Sequence, residues 1–276
     1  MVITFEDIIN EFEPKNNYEV LLGYDKNNQL YSHNFLKNRN LLIAGETGSG
    51  KSVLLHQMLL SLMLNHSPDL LKIFIHDPKR VEFNDYQSSP FVKSITTNNN
   101  DFFQVINELH NEMNRRFNLI QKYNYKDIDE FNNNADKNNL NKLSFNIVLI
   151  DEYADIVMNN NINTKELKNK INKILMIGRA VGILFIISTQ RLNNHILSDQ
   201  LKDLIDIRVG MKVLDKSKSQ IIINEPGAEK LPGNGSMIYK LNTNEETIYL
   251  QSVFIPNYNI DQINNYFKDK YQKIEA

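Results

Sequence analysis

Two short runs carry residues able to handle phosphate chemistry. The first, Leu41 to Ser52, reads LLIAGETGSGKS: an apolar strand, then a G-x-x-x-x-G-K-S loop. Glycines at Gly45, Gly48 and Gly50 let the backbone turn its N–H groups, including those of Glu46, Thr47, Ser49 and Val53, toward phosphate oxygens. Lys51 is then expected to reach the β- and γ-phosphates of a nucleotide, and the Ser52 hydroxyl to take a place on Mg²⁺. The second run, Phe145 to Glu152, is FNIVLIDE, an apolar strand closed by two acids. Asp151 is expected at the metal. Glu152, one position on, is placed to polarise an attacking water.

Elements of a defined kind must hold these groups. Val53 to Leu64 is apolar and helix-forming, so a helix N-terminus faces the loop. Uninterrupted apolar strands of the FNIVLI type are buried on both faces, as in parallel sheets, where ligands gather at the strands' C-terminal ends. Lys72 to His76 and Gly182 to Ser188 read the same way. Phe102, Val105, Ile106, Leu109, Met113, Phe117 and Ile120 recur at helical spacing over Asp101 to Tyr123, and a further helix is expected over Thr164 to Met176. Asp25 to Asn28 separates two strand-like runs, Tyr18 to Tyr24 and Gln29 to Tyr31, as a hairpin turn does. Ile205 to Val213, Gly235 to Leu241 and Thr247 to Phe254 add strands. Asn124 to Leu143 reads as a polar loop, and residues 1–17 as an extension with a short amphipathic helix over Phe5 to Phe12. This alternation predicts an α/β fold with a largely parallel central sheet.

Composition narrows the setting. The 276 residues, 41% of them hydrophobic, support a substantial core, and the net charge of −2 excludes a uniformly basic nucleic-acid coat. The absence of cysteine excludes disulfides and thiolate zinc sites. Neither a signal-peptide pattern at Met1 to Asp7 nor a membrane-length apolar run is present, so a cytoplasmic protein is expected.

Several separated blocks together resemble the FtsK/SpoIIIE family of DNA-pumping motors. They are LLIAGETGSGKSV (Leu41 to Val53), DPKRVE (Asp77 to Glu82), EMNRRF (Glu112 to Phe117), IVLIDEYADIV (Ile147 to Val157), GRAVG (Gly178 to Gly182), STQR (Ser188 to Arg191) and GAEKLPGNGSM (Gly227 to Met237). The resemblance implies a RecA-like P-loop NTPase over residues 18–276, with ATP and Mg²⁺ as cofactors, double-stranded DNA as partner and a homo-oligomeric ring, by resemblance a hexamer. It extends to about the end of the motor, so a motor without membrane or winged-helix modules is expected, attached to a membrane only through a partner. Such a motor suits plasmid or conjugative-element transfer.

The resemblance also implies roles. Gln190 becomes the γ-phosphate sensor and Arg179 an arginine finger aimed at a neighbour's nucleotide. Arg191, Lys202, Lys216 and Lys218 fall in loops that face DNA, Gln220 falls where a cation is common, and Lys79, Arg80 and Glu82 fall at the nucleotide or the subunit boundary. Arg115 and Arg116 read as solvated or structural. Two other functions fit the same blocks: a protein-export motor of the type VII secretion kind, and a nucleotide-binding scaffold without turnover. The presence of Lys51, Asp151, Glu152 and Gln190 argues against the scaffold.

Overall fold

A computed structural model of the protein describes residues 18–255 except 39, 160–161, 206 and 242–246, together with Phe12 and scattered positions between 262 and 271. The helix expected over Phe5 to Phe12 lies, but for Phe12, outside the described residues. Among the described residues ten strands form one sheet: β1 (Glu19–Tyr24), β2 (Leu30–Asn34), β3 (Leu41–Ala44), β4 (Leu71–His76), β5 (Val92–Thr96), β6 (Phe145–Ile150), β7 (Ile183–Thr189), β8 (Ile207–Met211), β9 (Ser236–Leu241) and β10 (Thr247–Gln251). Their order is β2-β1-β10-β9-β8-β3-β7-β6-β4-β5. From β8 to β5 all neighbours run parallel, while β9, β10, β1 and β2 continue the sheet antiparallel. β3, β6 and β7 are buried at every position. That is why they read as largely apolar runs rather than as alternating ones.

Helices cover the sheet: α1 (Lys51–Leu64), α2 (Asn99–Lys122), α3 (Ile128–Asn134), α4 (Tyr153–Met158), α5 (Ile162–Ile177), α6 (Asp199–Leu204) and α7 (Lys216–Ile223). Asn98 caps α2, its side chain accepting from the N–H groups of Asn100 and Asp101. Arg116 is buried on α2. It donates to the carbonyls of Ser144 (2.6 Å) and Val181 (2.9 Å) and pairs with Glu112 at 2.7 Å. It thereby fastens the helix to the entries of β6 and β7, which is a structural role, as expected. Arg115 pairs with the same Glu112 on the exposed side.

The segment Asn124 to Leu143 is not the polar loop that its composition suggests. It holds α3 and a 3-10 turn at Asp136–Asn138. Asp127 caps α3 at the N–H of Glu130 (2.9 Å), and Ile128 and Phe131 are buried beneath it. Two core residues and one cap outweigh the run of asparagines. The edge strand β5 is also missing from the elements that the sequence predicts, because only Val92 and Ile95 of its five residues are apolar.

Two buried imidazoles make stability depend on pH. His56 on α1 stacks on Tyr86 and bonds its hydroxyl at 3.0 Å, and His76 on β4 stacks on Phe102. Burial pushes each down from 6.5 to about 4. Below pH 6.5 the unfolded chain binds protons that the native state refuses, so stability is full above that pH and falls as pH drops toward 4. Urea midpoints at pH 7.5 and pH 5 check this. The loss on acidification should shrink in a His56→Phe variant, which keeps the contribution of His76.

Candidate functional site

β3, β7 and β6 lie side by side, so the phosphate-loop strand and the acid-bearing strand are separated by one strand. All three end on the same edge of the sheet, and the loop, Gln190 and the two acids meet there. The loop is fixed by N–H donation from Gly45 to the Thr189 carbonyl (3.3 Å) and from Glu46 to that of Lys212 (3.0 Å). Gly50 has φ 98°, and a Cβ there would lie 2.4 Å from the backbone nitrogen of Gly235. Glycine is therefore required on both conformational and steric grounds. The GAEKLPGNGSM block supplies that contact: its turn from Pro232 to Gly235 packs on the loop, with the N–H of Gly235 donating to the Ser49 carbonyl at 2.8 Å.

Lys51 is 3% exposed and Asp151 1%. The ammonium donates to Asp151 Oδ1 (2.8 Å), to the Asp151 carbonyl (3.2 Å) and to Ser188 Oγ (3.1 Å). Three donors meet three acceptors. From the sequence, Lys51 is expected to face ligand alone; in the structure it also neutralises a buried carboxylate. Ser49 Oγ is buried and has no hydrogen-bond partner among the described residues, an orphan that a phosphate oxygen in the loop would satisfy.

Glu152 is held from the β7 side. Its Oε1 accepts from Thr189 Oγ1 at 2.5 Å, and its two oxygens accept from the N–H of Gln190 at 3.1 and 3.2 Å. Gln190 in turn accepts from Thr47 Oγ1 through its side-chain oxygen at 2.9 Å, which leaves its NH₂ group to donate. A chain of hydrogen bonds thus runs from the acid strand through the end of β7 to the tip of the phosphate loop.

A cavity of about 830 Å³ opens over the loop. Gly48, Gly50, Lys51 and Ser52 floor it, and Tyr24 and Phe254 wall it on the antiparallel side. This size accommodates a nucleotide. Ser52 and Asp151 are hard oxygen donors at the loop. Mg²⁺ takes few protein ligands beside waters and phosphates, so this pair suits it. No group of three or more His, Cys, Asp or Glu poised for a metal occurs among the described residues.

The remaining expected site residues are spread out. Arg179 sits in the turn Gly178–Val181 that enters β7, about 20 Å of strand from the loop at ~3.3 Å per residue. It cannot reach its own chain's phosphates. It lies near Asp129, whose carboxyl burial pushes up and Arg179 pulls back. Arg191 follows β7, exposed beside Met158 and Asp155. Lys218 on α7 pairs with Glu46 of the phosphate loop at 2.7 Å, so it belongs to the loop's rim. Lys216 is exposed at the start of α7. Lys202 on α6 pairs with Asp199 near the entry to β8, at the opposite edge of the sheet from Arg191. Gln220 donates to the Asn224 carbonyl within α7's own end. Glu82 lines the cavity, and Lys79 approaches Glu152 at 3.5 Å.

The chain is similar to known proteins in sequence and in fold. The model of the FtsK/SpoIIIE family matches residues 11–194. The chain is 32% identical over 273 residues to the DNA translocase FtsK of Staphylococcus epidermidis, covering 96% of this chain and 34% of the relative. It is 32% identical over 279 residues to that of Staphylococcus aureus, covering 98% and 35%. The chain therefore spans about a third of the length of the curated relatives it matches. Among solved structures, the pCW3 conjugation coupling protein TcpA, in monomer form with ATPgS, superposes with a TM-score of 0.84 at 22% identity, over 100% of this chain and 74% of that one. The cytoplasmic domain of the Thermomonospora curvata type VII secretion ATPase EccC gives 0.76 at 23% identity, over 88% and 29%. At these identities the structures establish a shared fold.

Proposed function

The chain belongs to the FtsK/SpoIIIE family, and from that premise we propose that it is an ATPase motor that drives double-stranded DNA, serving plasmid or conjugative-element transfer. The observation that carries the reading is the hydrogen-bonded chain Glu152–Gln190–Thr47 beside the Lys51–Asp151 pair. A non-hydrolysing scaffold has no need of a carboxylate wired to the tip of its phosphate loop. In the motor, Lys51 offsets charge on the β- and γ-phosphates, and the Gln190 amide donates to the terminal phosphate. Glu152 takes the proton of the attacking water at a carboxylate oxygen. Ser52 and Asp151 would hold a Mg²⁺ ion, which would supply neutralisation of the charge developing on the phosphates.

The motor comprises residues 18–276, and its ring, six-membered by family likeness, brings Arg179 of one subunit to the nucleotide of the next. Arg191, Lys216 and Lys218 stand at the loop edge of the sheet, where DNA phosphates would meet them. Lys202 stands at the other edge and contributes least to this reading. Among the described residues no helix is long and apolar enough to cross a membrane.

The test is ATP turnover with and without duplex DNA. Duplex of any sequence should stimulate it, and the stimulation should fall steeply between about 50 and 200 mM salt because the contacts go to phosphates. Turnover that ignores DNA at low salt and rises with a protein substrate would replace this reading with protein export, a task for which the EccC fold likeness gives a template. No turnover under any condition would leave a scaffold.

A further inference from the structure

We propose that Lys79 is the positioning residue for Glu152, presented to it by a loop that the Asp77 carboxylate folds. The proposal rests on the reading of Glu152 as the base that activates water.

The loop is unusual in how its backbone is satisfied. Asp77 is fully buried at the end of β4. Its Oδ1 accepts from the N–H groups of Lys79 (3.1 Å) and Arg80 (3.0 Å), and its Oδ2 from those of Val81 (3.1 Å), Glu82 (3.2 Å) and Phe83 (3.4 Å). Five successive peptide donors converge on one carboxylate. Arg80 adopts φ 60°, which bends the chain back over it. The far end of the loop is anchored in the core by Phe83 and Tyr86, both packed on His56 of α1. Little freedom remains in the backbone that carries Lys79.

The topology gives this loop its purpose. β6 lies between β7 and β4, so Glu152, just past β6, is flanked by the residues that leave each neighbouring strand. From the β7 side come the Thr189 hydroxyl and the Gln190 N–H. From the β4 side the one charged group that reaches it among the described residues is Lys79, whose Nζ stands 3.5 Å from Oε2. Without that ammonium the carboxylate is gripped from one side and can swing toward β7. With it, both oxygens are fixed and lone pairs remain for a water. Lys79 is 36% exposed, and ion pairs of such exposure add little to folding. The contribution should therefore appear in turnover rather than in stability. A misplacement of about 1 Å at a reacting group can cost of order 10²-fold in rate.

The experiment compares DNA-stimulated steady-state ATPase of wild type, Lys79→Met, Lys79→Arg, Glu152→Gln and the double variant Glu152→Gln/Lys79→Met, with thermal melts of each. Lys79→Met should lower kcat by at least about 10-fold while KM for ATP stays within about 2-fold. Lys79→Arg should recover most of the loss, which separates charge from fold. In the Glu152→Gln background, Lys79→Met should change the residual single-turnover rate by less than about 2-fold, because the residue acts through that carboxylate. Wild-type kcat in Lys79→Met, a rise in KM with kcat unchanged, full additivity in the double variant, or a loss traced to melting that arginine does not rescue would each overturn the proposal. Any of these with an active wild type leaves the motor reading standing. A wild type without turnover overturns both.

Discussion

Lys51→Ala should lose ATP turnover by at least about 10²-fold and should also melt at a lower temperature. The first effect comes from deleting the cation that offsets phosphate charge; loss of one such electrostatic contact typically costs about 10²–10³ in rate. The second comes from the pairing of Lys51 with Asp151 at 2.8 Å, both side chains almost fully buried. Removing one partner of a buried pair strands the other charge, at a cost of about 3–5 kcal/mol. The two effects can be separated. Lys51→Met combined with Asp151→Asn removes both charges and should recover much of the stability while recovering none of the turnover. Steady-state ATPase rates and calorimetric melts of the three proteins check this. Turnover near wild type in a folded Lys51→Ala protein would remove the loop from the chemistry. An unchanged melt would mean that the ion pair is not closed in solution.

Arg179→Ala should abolish hydrolysis while each subunit still binds ATP. Its own phosphate loop is a strand's length away, so any action on phosphate must be on a neighbouring subunit. Trans arginines in phosphoryl transfer contribute about 10³- to 10⁵-fold. Mixing Arg179→Ala with Lys51→Ala should then restore measurable activity, because some interfaces in a mixed assembly face an intact loop with an intact arginine. The competing outcome is set by Asp129, the acid near Arg179. If pairing with that acid is the whole role of the arginine, its loss costs about 0–1 kcal/mol and leaves turnover almost intact. Rates of each variant and of the mixture, at concentrations where assembly is verified, decide between them. An inactive Arg179→Ala without rescue would place the arginine's role inside its own subunit.

Some features of this molecule are legible in the sequence and others are not, and the residues show why. The phosphate loop, the acid pair and Gln190 stand at the ends of strands buried on both faces, and such strands announce themselves as apolar runs of the right length. Their convergence is a consequence of parallel topology alone. Contact between distant segments stays hidden. The Lys51–Asp151 pair spans 100 positions and the Thr47–Gln190 bond 143, and no local pattern encodes either. α3 is hidden for another reason. Three consecutive asparagines mask an Asp127-x-x-Glu130 start signal and the apolar pair Ile128 and Phe131, and tertiary burial overrides composition. The five-donor role of Asp77 has a sequence cue, an acid before a proline at a strand end, but the cue specifies a turn and not which peptide groups the carboxylate collects.

The antiparallel half of the sheet sets the order in which this molecule can be completed. β1 pairs with β10, Tyr24 opposite Gln251. Gln57 on α1 donates to the Leu21 carbonyl at 2.8 Å and accepts from the N–H of Val253 at 2.9 Å, a partner 196 positions later. On a ribosome adding about 5–20 residues per second, Gln57 waits roughly 10–40 s for that partner. During this interval the β1–β2 hairpin has no strand on its inner edge, and a buried amide oxygen has no donor. Nascent chains in this condition expose a pairing edge to one another. Contacts of such sequence separation are also the slow ones to close. The helix that carries the phosphate loop therefore reaches its final setting only after the last strand of the sheet has been made, and the nucleotide cavity, walled by Tyr24 and Phe254, closes with it.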